Sequence, residues 1–269
     1  MTKPLKIVVF DLDETLGYFT EFGIFCDCLN NYFKKSNYSD QYFNELLDLY
    51  PLFLRPKILT ILQYLKTKKK ENKCYKVMIY TNNQGDRSWA NNIKKYFESK
   101  IDSKVEKPLF DKVIAAFKIG GKHIELGRTS HDKTIDDFVR CTKMPNNIEL
   151  CFIDDVYHDG MADDKVYYIN VKPYKYQFSI DEMINTFLSS KLGSIVINKE
   201  QCKQNINEDF IRYSYRVSKK TKEEQEIDEI IGKRMLQHLK QFFYEKTNRT
   251  YKKKKQDKKK GGNHKTLKR

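Results

Sequence analysis

Short apolar runs recur along the chain and alternate with longer segments of helical period. The runs are LKIVVF (5–10), YKVMIY (75–80), KVIAAF (112–117), ELCFI (149–153) and KVYYINV (165–171). Each is largely continuous rather than strictly alternating, the pattern of a strand buried on both faces. Between them, PKILTILQYLKTKK (56–69), DRSWANNIKKYFESK (86–100) and KTIDDFVRCTK (133–143) read as crossover helices. Strand–helix–strand alternation predicts an α/β fold, a parallel Rossmann-like sheet with helices on both faces. Right-handed crossovers carry the C-terminal end of every strand to one edge of such a sheet.

Two segments stand outside this alternation. Residues 17–50, rich in aromatics and Asn, contain FGIFCDCLNNYF and DQYFNELLDLY and predict a small helical insert after the first strand. Residues 219–247 place Ile227, Ile230, Ile231, Met235, Leu239 and Phe242 at helical spacing, which predicts an amphipathic helix docked on the core or on a partner. The expected organisation is an α/β domain over 1–195, a helical extension over 196–247 and a Lys-rich tail over 248–269. The tail, YKKKKQDKKKGGNHKTLKR, has almost no apolar content and is expected to be disordered.

Composition narrows the setting. No run approaches the ~20 apolar residues of a membrane span, and the N-terminal apolar stretch is too short for a signal peptide. The expectation is an intracellular protein with no membrane partner. Six cysteines (Cys26, Cys28, Cys74, Cys141, Cys151, Cys202) are scattered without metal-ligand spacing and read as reduced and structural. The net charge of +15 is uneven, because residues 249–269 carry +10 of it and residues 1–248 only +5. The high pI therefore describes the tail, which is expected to make non-specific contacts with nucleic acid or another polyanion.

The strand ends carry the candidate chemistry. KIVVF runs into Asp11 and Asp13, ELCFI into Asp154 and Asp155, and YKVMIY into Thr81, Asn82 and Asn83. Taken singly, an Asp after a strand is a common turn former or helix cap. In a parallel sheet the three ends share one edge, which gathers four carboxylates, a hydroxyl and amides in one crevice. Such a cluster is costly unless a cation neutralises it, and an oxygen-only ligand set suits Mg²⁺.

These residues resemble the motifs of the haloacid dehalogenase superfamily. DLDET (11–15) resembles motif I, YTNN (80–83) motif II with Thr81 in the Ser/Thr position, and FIDD (152–155) motif IV. Lys133 in HDKTIDDF resembles the motif III lysine, with Lys118, Lys122 and Arg128 as nearby alternatives. The triplet LRP (54–56) before motif II is similar to the protein-phosphatase branch that acts on the RNA polymerase II carboxy-terminal domain. Asp155 stands where that branch usually has Asn, and 17–50 reads helical where that branch carries a short β insert.

The resemblance implies a three-layer sandwich and a Mg²⁺-dependent phosphomonoesterase. Asp11 is the implied nucleophile, forming an aspartyl-phosphate, and Asp13 the implied acid and base. Thr81 is implied to hold a phosphoryl oxygen, Lys133 to balance charge, and Asn82 to contact substrate. The implied metal set is Asp11, Asp13, Asp154 and Asp155. His131 reads as a surface or hinge residue. The implied substrate is a phosphoserine or phosphothreonine protein. The alternatives are a nucleic-acid-end or small-metabolite phosphatase, and a non-catalytic adaptor that binds polyanions through its tail.

Overall fold

A computed structural model describes residues 3–35, 37–102, 107–145, 147–213 and 217–244. Along the chain run β1 (Leu5–Phe10), α1 (Thr20–Phe33), α2 (Tyr38–Gln41), α3 (Phe43–Asp48), α4 (Ile58–Lys70), β2 (Lys76–Tyr80), α5 (Arg87–Ile101) and β3 (Lys112–Ile114). There follow β4 (Lys118–Ile119), β5 (Lys122–His123), α6 (Ile135–Thr142), β6 (Ile148–Asp154), β7 (Val166–Asn170), α7 (Ile180–Ser189), α8 (Lys199–Arg212) and α9 (Lys222–Tyr244). The predicted tail over 248–269 lies outside the described residues.

Five strands form one parallel sheet in the order β3-β2-β1-β6-β7, while β4 and β5 make a separate antiparallel hairpin. The fold is therefore α/β, with helices on both sides of the sheet. Alternate residues of each strand supply two cores, as the two-residue period of a strand requires. Val8, Phe10, Val77, Ile79, Cys151 and Ile153 join the larger core with most of the helices. Ile7, Val9, Met78, Tyr80, Leu150 and Phe152 face the other way, onto Phe138 and Cys141 of α6. Burial on both faces explains why the strands read as unbroken apolar runs.

The insert is built into the larger core. Phe22 of α1 meets Phe43 at 5.4 Å and Trp89 of α5 at 5.9 Å, and Phe25 meets Tyr50 at 5.6 Å and Phe187 of α7 at 6.1 Å. These edge-on and tilted rings account for the aromatic richness of 17–50. Helix α8 packs on α1 from outside. The six cysteines are buried and unpaired, and burial raises each thiol above its ordinary range.

Helix α9 docks on the core of its own chain, against α4 and β7. Its buried stripe is Asp228, Gly232, Met235, Leu239 and Phe242, whereas Ile227 and Ile230 are exposed. The predicted apolar stripe is thus correct in its second half and displaced in its first. Gly232 is the reason: a Cβ there would overlap the carbonyl oxygen of Pro56. The helix approaches the turn before α4 backbone to backbone, and Asp228 turns inward to an ion pair with Lys220. Gly232→Ala is expected to destabilise the fold by about 1–3 kcal/mol through overpacking, read as a lowered midpoint in thermal denaturation. An unchanged midpoint would show that α9 has room to move away.

Candidate active site at the carboxyl edge of the sheet

The ladder fixes the first carboxylate. Asp11 N donates to Ile153 O (2.9 Å), extending the pairing of Phe10 with Ile153 by one residue. Asp11 therefore lies next to Asp154, the last residue of β6, and past the end of β2 Thr81 N donates to Ile114 O (3.0 Å). Motif-bearing strand ends 70 and 140 residues apart in sequence meet because all are C-terminal ends of neighbouring parallel strands.

A tight turn follows Asp11. Glu14 adopts a left-handed conformation (φ 59°), its N–H donates to Gly17 O (2.7 Å), and Leu16 N donates to Leu12 O (2.9 Å). Tyr174 N donates to Glu14 O (2.8 Å) and so ties the turn to the segment after β7. Arg55, fully buried, also donates to Glu14 O, and it reaches Thr15 O (2.6 Å) and Lys172 O (2.9 Å). Outside support of this kind is what a non-glycine residue needs to persist at positive φ.

Three carboxylates converge. Asp11, Asp154 and Asp155 each offer an oxygen, and these atoms lie within 4.8 Å of one another. The group could hold a metal ion. Lys133 is buried against it, with Nζ bonded to Asp11 and to Asp154 (2.7 Å). His158 approaches Asp154 from the other side at 3.5 Å, and Val156 N donates to Asp154 (2.8 Å). Asp155 accepts from Thr15 Oγ1 (2.8 Å) and returns its own N–H to the same oxygen (3.1 Å).

The electrostatics follow from charge counting. One lysine faces three carboxylates, a deficit of two positive charges in a poorly solvated place. Burial pushes Asp11 up to about 7 even though Lys133 pulls it down, with Asp154 adding repulsion. Asp155 is raised as well, chiefly by burial and against its bond from Thr15. Asp154 is desolvated too, but His158, Lys133 and the Val156 N–H together hold it below the usual carboxylate range. An all-oxygen set short of two positive charges fits a hard divalent cation.

Asp13 has a different setting. Its carboxylate is not one of the three converging groups; it accepts from Asn83 Nδ2 (2.7 Å). Burial raises its pKa above the ordinary value, with the Asn83 bond and Lys133 acting against the shift. Thr81 is buried, and its Oγ1 accepts from Asn83 N (3.0 Å). Asn82 carries a buried amide oxygen with no partner among the described residues. That leaves its side chain available to a ligand, as donor or acceptor according to the amide flip.

The other cations near Lys133 serve other ends. Arg128 is buried and donates to the carbonyls of Thr81 (3.1 Å), Ala115 (3.0 Å) and His131 (2.9 Å), so it ties the loop before α6 to the end of β2. Lys118 and Lys122 are exposed on the β4–β5 hairpin. His131 is exposed, with its ring 5.4 Å from Phe117. Lys133 is delivered by the start of α6, where Thr134 accepts from Asp137 N as the N-cap.

Arg55, Thr15, Asn83 and His158 are the site residues to which sequence reading gave no role. The first three stand inside the motif stretches LRP, DLDET and YTNN, but only their contacts reveal what they do. His158 carries no sequence signal.

From Asp13 and Asn83 an open trough of about 710 Å³ runs between α1 and the N-terminal end of α5. Phe19 and Trp89 line it with Asp27, Asp40 and Asp86, and no lysine or arginine is among its described lining residues. Asp86 caps α5 by accepting from Ser88 N (2.8 Å), and Asp40 accepts from Asn92 Nδ2 (2.7 Å). The insert thus forms one wall of the approach to Asp13.

No protein-family profile matches the chain, and no match was found among the curated proteins or the solved structures. No helix among the described residues is long and apolar enough to cross a membrane.

Proposed function

We propose that the protein is a Mg²⁺-dependent phosphomonoesterase of the haloacid dehalogenase type. The observation that carries this reading is the juxtaposition of Asp11, Asp154 and Asp155 around one buried lysine, with Asp13 held apart by Asn83. Asp11, Asp154 and Asp155 would hold the ion. When bound, Mg²⁺ supplies charge neutralisation that lets a phosphate dianion enter a carboxylate-rich crevice.

The chain's own groups account for the chemistry. In the first step an Asp11 oxygen forms a bond to phosphorus while the bond from phosphorus to the leaving oxygen breaks. Asp13 gives that oxygen its proton; the raised pKa of Asp13 suits a donor. In the second step water attacks phosphorus, Asp13 takes the water's proton, and the Asp11–phosphorus bond breaks to release phosphate. Lys133 balances the negative charge shared by Asp11 and the phosphoryl group, and the Thr81 hydroxyl and Asn82 amide hold phosphoryl oxygens.

The trough supports a peptide substrate. It is open, as an extended chain requires, and its acidic lining repels a nucleic-acid end while attracting lysine or arginine beside a phosphoserine or phosphothreonine. The test is release of phosphate from an aryl phosphate, phosphopeptides with basic or acidic flanks, and 3′-phosphorylated oligonucleotides, with Mg²⁺ or with EDTA. Turnover of the aryl phosphate and preference for basic peptides, both abolished by EDTA, are expected. Absence of Mg²⁺-dependent hydrolysis on every substrate would refute the reading.

Asp13, after β1, and Asp154, at the end of β6, are expected to separate. Asp13→Asn loses the proton donor and base and should slow turnover by roughly 10²–10⁴-fold, yet retain Mg²⁺ binding in calorimetric titration. Asp154→Asn should lose Mg²⁺ binding. The reverse order of metal affinities would exchange the two roles.

A further inference from the structure

At the opposite edge of the sheet lies a second concavity, of about 990 Å³, where β1 and β2 begin. Six lysines are among its described lining residues: Lys3, Lys6, Lys69, Lys73, Lys76 and Lys107. The only carboxylate among its described lining residues is Asp111. Asp111 is shared by Lys69 (2.8 Å) and Lys76 (3.0 Å), so one negative charge meets two positive ones. Glu71 on the rim is likewise shared by Lys68 (2.8 Å) and Lys73 (2.9 Å). Lys6 pairs with Glu149 (3.4 Å). Lys3 and Lys107 have no carboxylate partner among the described residues, so the cleft keeps a surplus of positive charge.

Aromatic side chains stand among these lysines. Tyr75 is 45% exposed and Tyr244 is 84% exposed, large apolar surfaces left to solvent on the walls of a cationic cleft. Lysines supply phosphate contacts without base readout, and exposed rings supply stacking surfaces for unpaired bases. A duplex would present phosphates but keep its bases stacked on one another. We propose that this cleft binds single-stranded nucleic acid, with the lysines on its phosphates and Tyr75 and Tyr244 under its bases. The six-residue β1 separates the cleft from Asp11 by ~20 Å at ~3.3 Å per residue. The strand is therefore an anchor and not a substrate, and the proposal stands independently of the phosphatase reading.

The test uses the full chain and a fluorescein-labelled oligo(dT), with a duplex of equal length as comparison, read by fluorescence anisotropy across salt concentrations. The Lys-rich segment 249–269 is present in every variant, so differences report the cleft. The triple variant Lys3→Gln, Lys73→Gln, Lys107→Gln is expected to bind the single strand about 10- to 100-fold more weakly near 0.1 M salt. Its slope of log K against log salt should be shallower by about 2, at ~0.7 for each phosphate no longer neutralised. The pair Tyr75→Ala, Tyr244→Ala should weaken single-strand binding by at least about fivefold and leave duplex binding unchanged. Aryl-phosphate turnover should match wild type in all variants. Unaltered affinity and slope in the lysine variant would overturn the proposal. So would a single-strand-to-duplex ratio that does not move in the tyrosine variant.

Discussion

Asp11→Asn is expected to lower turnover of an aryl phosphate by ~10³-fold or more, the scale on which loss of a nucleophile acts. The expectation rests on position. Asp11 is the first residue after β1, pinned by its N–H to Ile153 O and by its carboxylate to Lys133. An amide keeps the shape and the bond from Lys133 but cannot form the aspartyl-phosphate. The same substitution removes one of three crowded negative charges, so the folded protein should lose no thermal stability. Burial already holds the Asp11 carboxyl up to about 7, a sign that its charge is poorly accommodated without a cation. Measured together, rate and melting temperature separate a chemical from a structural role. Turnover like that of the wild type would refute Asp11 as nucleophile, and a lost rate with a collapsed melting temperature would make it a structural residue.

Lys133→Met is the most destabilising single change expected at the site. Methionine matches the lysine stem in length, so the change removes charge without opening a large cavity. Asp11 and Asp154 are then left buried side by side with no lysine between them. Breaking a buried ion pair in this way costs about 3–5 kcal/mol, because the partners' desolvation is no longer offset. Chemical denaturation of the metal-free protein measures it. Adding Asp11→Asn to Lys133→Met should recover part of the loss, since it removes one of the two stranded charges, and the double-mutant cycle reads the coupling. Additive losses in the cycle would show that Lys133 does not stabilise through Asp11. Activity in saturating Mg²⁺ should be lost in Lys133→Met.

Much of the sheet was legible in the sequence. Strands buried on both faces have to be apolar throughout, so β1, β2 and β6 announce themselves as continuous runs. Crossover helices α4, α5 and α6 carry the period of a one-sided apolar face. The strand predicted over 112–117 pairs only over Lys112–Ile114, because β3 is an edge strand with one neighbour and the chain then leaves for the β4–β5 hairpin. The displaced stripe of α9 was not legible, because the residue that brings this helix closest to the core is a glycine, which no hydrophobic pattern registers.

The sequence by itself determined the main strands and crossover helices, the parallel sheet and therefore the edge at which Asp11, Asp154, Thr81 and Asn82 come together. Topology and strand polarity are enough for that, since any right-handed α/β sheet brings these strand ends to one side. Only the tertiary structure decided which cation faces the acids. The sequence pointed to Lys133 with Lys118, Lys122 and Arg128 as alternatives, and the contacts of Lys133 with Asp11 and Asp154 and of Arg128 with backbone carbonyls separate them. It also decided that Asp13 sits apart from Asp11, Asp154 and Asp155, because Asn83, 70 residues away in sequence, holds it with a single hydrogen bond. The role of Arg55 and the two oppositely charged clefts belong to the same class. Each is assembled from residues far apart in the chain whose individual types are common, so local pattern carries no trace of it and only folding brings the charges close enough to act on one another.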